Sequence, residues 1–222
     1  MTTSLLVGTV SFKFAEGGWA TLLVTALFCI ACLGIRRHYV RTAQSLERLD
    51  DTLTTIPLPS GKATVAPMQR NVQTAILTVT NFGGVGIHSL LNQSRLFPNL
   101  FKQIAFVSVG AIDSGRFKGA DEIGSLRRST EAELQKYVDF ARKLGIPAES
   151  RYSIGTDIVD ELEALSLKAS EDYPRSVTFG SQLVFQKEGA LVRWLHNQTC
   201  PALQRRLAFH GLPMIILPIR IY

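Results

Sequence analysis

The residues best suited to chemistry are the glycines and short polar side chains of Asn81-Phe82-Gly83-Gly84-Val85-Gly86. They come after a short β-rich run, QTAILTVT, and precede a stretch patterned as a helix. Bare backbone amides at a helix start can hold a phosphate, and glycines let it come close. Asn81, Gly83 and Gly84 are the candidates there. The spacing is not G-x-G-x-x-G, and no P-loop lysine and serine come after it. A tight turn between strand and helix explains the same residues. A second candidate is the loop 110–119, with Asp113, Ser114, Arg116 and Lys118. The Arg116 guanidinium suits phosphate oxygens, although a solvated loop explains it too. Gly180 and Ser181, after another short apolar run, complete the set.

Other chemistries lack their parts. His196 and His210 flank Pro201, and neither stands at metal-ligand spacing from further donors. No Ser-His-Asp or Cys-His arrangement stands out. Asp157, Asp160, Glu161 and Glu163 read as the polar first turn of a helix, where they favour its dipole. We therefore expect no enzyme and no metal. Leu126-Arg127-Arg128 suits anionic lipid as well as a solvated helix face.

The elements that must position these residues alternate between two periods. Short apolar runs at 73–80, 103–109, 150–154, 176–179 and 213–219 predict strands. Helices are predicted from Ile87, from Thr130, over 157–170 and over much of 190–209. Thr130 with Glu133 reads as a capping box, and Gly145 with Pro147 ends that helix. The order β-α-β-α-β predicts an α/β domain, a mostly parallel sheet covered by helices on both faces. Ligands in such sheets sit at the carboxyl ends of the strands, where the strand order reverses. That selects the turns 81–86, 110–119, 155–156 and 180–181.

Upstream the chain changes character. Residues 19–35, WATLLVTALFCIACLGI, carry no charge and no proline. As a helix they span about 26 Å, the lower end of what crosses a bilayer. Trp19 suits one interface, and Arg36-Arg37-His38-Tyr39 closes the other end. The basic flank, extended by Arg41 and Arg48, predicts a cytoplasmic position for the chain beyond Ile35. A cleaved signal peptide carries its charge before the apolar run, not after it. Ile30-Ala31-Cys32 has a faint lipoprotein look with the same wrong charge order. A buried core helix would leave the double arginine unexplained. Cys29 and Cys32 read as small apolar residues of the span. With Cys200 alone, no disulfide framework exists. The formal charge of +6 is modest and its strongest cluster flanks the span, so no nucleic-acid partner is expected.

The expected organisation is therefore a membrane segment over 1–35, with a helix stump at 4–12 and a transmembrane helix at 19–35. Beyond it come a juxtamembrane helix over 36–55, a Pro-rich linker over 56–69 and a cytoplasmic domain over 70–222.

Lys13-Phe14-Ala15-Glu16-Gly17-Gly18-Trp19, an apolar helix and then Arg36-Arg37-His38-Tyr39 resemble the last two-helix segment of bacterial permeases of the amino acid–polyamine–organocation superfamily. Gly180-Ser181-Gln182-Leu183-Val184-Phe185, Leu195-His196-Asn197-Gln198-Thr199, Gln204-Arg205-Arg206-Leu207 and Leu217-Pro218-Ile219-Arg220 are similar to the cytoplasmic tail of its amino-acid permease and potassium-importer branch. The resemblance implies the C-terminal piece of an inner-membrane permease, with a regulatory or structural tail. Its implied partners are the lipid bilayer, the rest of a permease or a second copy of the chain. The substrate-binding helices of such permeases are absent, so no transport residue carries over. The tail also resembles the universal stress protein fold, some of whose members bind ATP through a glycine-rich loop before the last helix. His196-Asn197-Gln198-Thr199 stands there without glycines. ATP, AMP or a cyclic dinucleotide is the implied ligand. A single-pass sensor for a nucleotide or a protein is the alternative.

Overall fold

The computed structural model describes residues 14, 18–54, 65–112, 120–185 and 198–221. The helix stump expected at 4–12, Arg116 and its loop, and His196 lie outside them. The chain divides into two compact units, residues 1–45 and 46–222.

The first unit contains most of α1, Trp19–Thr54. It is one uninterrupted helix through both the apolar segment and the polar stretch after it. No proline or glycine pair breaks the run, and its hydrogen-bond ladder continues past Arg36-Arg37. Trp19–Arg37 is long and apolar enough to cross a membrane, with a mean hydropathy of 1.9 and its side chains exposed. Cys29 and Cys32 are among these exposed residues.

The second unit is the expected α/β domain. Its elements are β1 (Thr74–Thr78), α2 (Gly84–Leu96), β2 (Gln103–Ala111), α3 (Ala120–Lys143), β3 (Ala148–Gly155), α4 (Ile158–Asp172), β4 (Ser176–Phe185), α5 (Thr199–Phe209) and β5 (Met214–Ile221). All pairings among the five strands are parallel, in the order β3-β2-β1-β4-β5. Successive strands first step outward to β3. The chain then returns to the other side of β1, so the order reverses between β1 and β4.

The two-residue period of a strand explains why β1 and β2 are apolar throughout. Ala75, Leu77, Ile104 and Phe106 face one side, while Ile76, Ala105 and Val107 face the other. Helices α2 and α3 cover the first side with Ile87, Leu90, Leu134, Tyr137 and Val138. Helices α4 and α5 cover the second with Leu162, Ala169, Leu203 and Leu207. Each fully buried leucine contributes about 1.5–3 kcal/mol. Both cores are drawn from the domain itself, so it has the means to fold without the N-terminal span.

Two sequence expectations are corrected here. Helix α3 begins at Ala120, so Thr130 is interior rather than an N-cap. Thr130 packs under β2 instead, where a Cβ on Gly110 would meet its Oγ1 at 2.9 Å. Strand β4 does not end at Phe179. Pairing with β5 carries it to Phe185, with Gly180 opposite Ile216 and Ser181 opposite Leu217. Gly180 and Ser181 are therefore strand residues and not a turn. The end of α3 matches its sequence signal: Gly145 takes φ +79°, and Ile146 N donates back to Ala141 O.

Candidate functional site

At the reversal point, the carboxyl ends of β1 and β4 meet the first turns of three helices. A cavity of about 270 Å³ opens there. Its walls are mainly apolar: Val79 after β1, Val85 of α2, Val109 of β2, and Ile158 and Leu162 of α4. Thr78, Thr80, Gly86, Ser181, Thr199 and Cys200 complete the lining; the Thr78 hydroxyl donates to Phe179 O at 3.2 Å. The chemistry offered is a greasy slot edged by hydrogen-bonding groups, at the positive end of several helix dipoles.

The glycine-rich turn stands beside this cavity, but its amides have a different use from the one expected. Phe82 N donates to the Glu133 carboxylate at 2.9 Å. Gly83 N donates to the Tyr137 hydroxyl at 3.2 Å, and that hydroxyl donates to Asn81 O at 2.9 Å. Both partners stand on α3, one turn apart. The protein's own carboxylate thus takes up the Phe82 amide of this turn. The Lys136 ammonium beside Glu133, together with the Phe82 amide, holds its carboxyl below the usual range. Burial opposes the shift without reversing it. At Gly86 close approach demands a glycine: a Cβ there would stand 2.0 Å from the Tyr137 oxygen.

Of the residues expected from the sequence, Ser181 lines the cavity. Its hydroxyl pairs with that of Ser89 on α2, and Ser89 also donates to Val85 O at 2.7 Å. Gly180 lies just behind it. A Cβ on Gly180 would meet Met214 Cε at 2.6 Å and Cys200 Sγ at 2.9 Å, so its small size lets α5 and β5 close on β4. Asn81, Gly83 and Gly84 form the adjoining turn and the start of α2, outside the lining. The Cys200 thiol donates to Ser181 O at 3.3 Å. Burial pushes that thiol up, which keeps it protonated and unreactive.

The three helix starts differ in what they already hold. The turn before α2 is served by Glu133. Helix α4 is capped by Asp157, whose carboxylate accepts from Val159 N and Asp160 N at 2.9 and 3.1 Å. Helix α5 starts at Thr199 behind Gln198, a neutral residue. Thr199 and Cys200 bring the start of α5 into the cavity wall. Sequence reasoning misses Tyr137 and gives Glu133 a local role, because their function depends on a turn far away in the chain. Thr199 closes the stretch Leu195-His196-Asn197-Gln198-Thr199 that the resemblance singles out. Val109 has no signal beyond strand patterning.

His210 is paired with Glu163 at 2.9 Å, and Arg206 bonds both Glu163 and Asp160. These contacts tie α5 to α4 and gather no metal set. Among the described residues, no three His, Cys, Asp or Glu side chains cluster to hold a metal ion.

No protein-family model and no curated protein matches the chain. Solved structures similar to it include two of known family. One is a protein of the universal stress protein family from Burkholderia pseudomallei, 15% identical, with a TM-score of 0.42, covering 65% of this chain and 96% of that one. The other is a universal stress protein in complex with cAMP, also 15% identical with a TM-score of 0.42, covering 68% of this chain and 99% of that one.

Proposed function

We propose that this chain is the C-terminal part of a permease of the amino acid–polyamine–organocation type, and that its α/β domain is a ligand-responsive cytoplasmic tail. The observation that carries the ligand half is the cavity at the strand-order reversal, where parallel sheets bind small molecules. Its apolar walls suit a heterocyclic base, and its hydroxyl edge suits a sugar. The start of α5, in the cavity wall through Thr199 and Cys200, suits an anionic group at the positive end of a helix dipole. A nucleotide combines these three features. The volume lies just under the about 300–1,000 Å³ of common ligand sites, so the base fits inside and the phosphate stays at the mouth. The site is one of binding and not of catalysis in this reading. The permease half is supported by the sequence resemblance around the span and by α1, which has the length and composition to cross a bilayer.

Thermal melting of residues 65–222 with ATP, AMP and cyclic dinucleotides tests the ligand half. A ligand at 100 times its dissociation constant adds about 2.7 kcal/mol to the folded form. A folded domain that melts unchanged with all of them contradicts it. Because α1 provides one span among the described residues, a single-pass sensor is the second reading. Nucleotide binding by the domain, with solute flux indifferent to that nucleotide in a longer permease carrying the same tail, favours the sensor.

A further inference from the structure

The end of the domain opposite the cavity has a composition that the ligand site does not explain. Because all strands run parallel, every helix of the domain finishes at the amino end of the sheet. The chain also enters the domain there, through residues 65–73. Arg70, Arg95, Lys102, Arg142, Lys143 and Arg175 are all exposed at this end. Among the described residues, none of the six has an acidic partner; Arg70 and Arg142 donate only to the Glu171 and Ala148 carbonyls. The acidic groups nearby are fewer. Arg151 pairs with both Glu149 and Asp172 and offsets one of their two charges; Asp139 and Glu171 are the other acids there, with Glu163 held by Arg206 and His210 beside Phe209.

The same end exposes large apolar side chains. Leu96 and Leu100 stand at and after the end of α2, Leu144 comes after α3, and Phe209 ends α5 with 87% of its surface in solvent. The plain alternative is that cations at helix carboxyl ends answer the helix dipoles. That accounts for Arg95, Arg142 and Lys143. It does not account for Arg70, Lys102 and Arg175, which lie outside the helices, or for Phe209 and Leu100 in water. Cations alternating with exposed leucine and phenylalanine are what an interface of anionic headgroups over acyl chains accepts.

We infer that this amino-end face docks on a bilayer surface of anionic phospholipid. The inference is independent of the nucleotide site, and rests on reading α1 as the membrane span that keeps the domain near lipid. Docking adds a second, weak contact to that tether, as in other anchors that need two signals.

Flotation of residues 65–222 with vesicles tests it, using phosphatidylcholine alone or mixed with phosphatidylglycerol. The expected result is binding to the mixed vesicles only, reversed by high salt. Lys102→Glu with Arg175→Glu should lower the partition coefficient about tenfold or more, and Phe209→Ser should weaken it. Arg127→Glu with Arg128→Glu, in the first half of α3, should leave it unchanged. Melting curves show that each variant is folded. Equal binding to both vesicle types, or none, overturns the inference. So does loss of binding in the Arg127/Arg128 variant alone. Concentration-dependent self-association without flotation overturns it in favour of a contact between copies.

Discussion

Tyr137 fills the space beside Gly86 so closely that a Cβ on that glycine would come within 2.0 Å of its hydroxyl. The ring is fully buried, stacked on Phe106 at 5.3 Å between centroids, with no room to retreat. Helix α3 therefore fixes the first turn of α2 and, with it, one wall of the cavity. Gly86→Ala should destabilise the domain by about 1–3 kcal/mol, the range for overpacking a filled core. Urea unfolding measures it, and an unchanged midpoint contradicts this packing.

The same hydroxyl serves both sides of the turn, accepting from Gly83 N and donating to Asn81 O. Tyr137→Phe keeps the ring and strands both partners. The expected cost is about 1–3 kcal/mol, from polar groups left unpaired. Amide exchange at Gly83 should rise faster than exchange in β3. Uniform acceleration across the domain would mean that the hydroxyl has no local role.

Glu133 supplies the acid-sensitive part of the turn. Its carboxyl is held below the ordinary value of 4.5, so the stability it lends is complete above that value. It declines as the pH falls through the lowered value, because the unfolded chain takes up the proton first. Glu133→Gln should flatten this part of the acid limb of the stability curve. An acid limb identical to that of the parent protein would exclude Glu133 as a source.

Tyr173 gives the opposite signature. Burial first, and then its hydrogen bond to Glu149 at 2.7 Å, push its hydroxyl from 10.0 up to about 12. The neutral phenol is the favoured folded form, so its contribution is present below pH 10.0 and is lost as the pH rises towards about 12. Phenolate absorbance should show a late-ionising step from Tyr173, and Glu149→Gln should bring that step earlier. Ionisation of all tyrosines together in the folded protein would contradict the contact.

The fold is far easier to read from the sequence than the site. Strands β1 and β2 announce themselves because both faces are buried, so apolar residues run without a break. Helix α4 shows the acids of its first turn, Asp160 and Glu161, and α3 shows its Gly145 stop. The apolar pattern of β4 stops at Phe179 because Gly180 and Gln182 weaken it; only the partner strand β5 makes the rest of that segment extended. The site is hidden for a different reason. Asn81, Gly83 and Gly84 resemble a phosphate cradle locally, but Glu133 and Tyr137 arrive from a helix more than forty residues away and take up the turn's amides. No pattern within the turn encodes that. Arg116 lies outside the described residues, so its phosphate role stays an expectation.

The nucleotide site stands or falls on calorimetric titration of residues 65–222 with the nucleotide that raises the melting temperature, run in parallel with Val109→Phe. Val109 lines the cavity from β2, and a phenyl group there fills the slot proposed for the base. One saturable site is expected in the parent domain, with loss of binding in a variant that still melts cooperatively. Undiminished affinity in that folded variant would contradict the assignment, because the ligand would then bind somewhere other than the β1–β4 cavity.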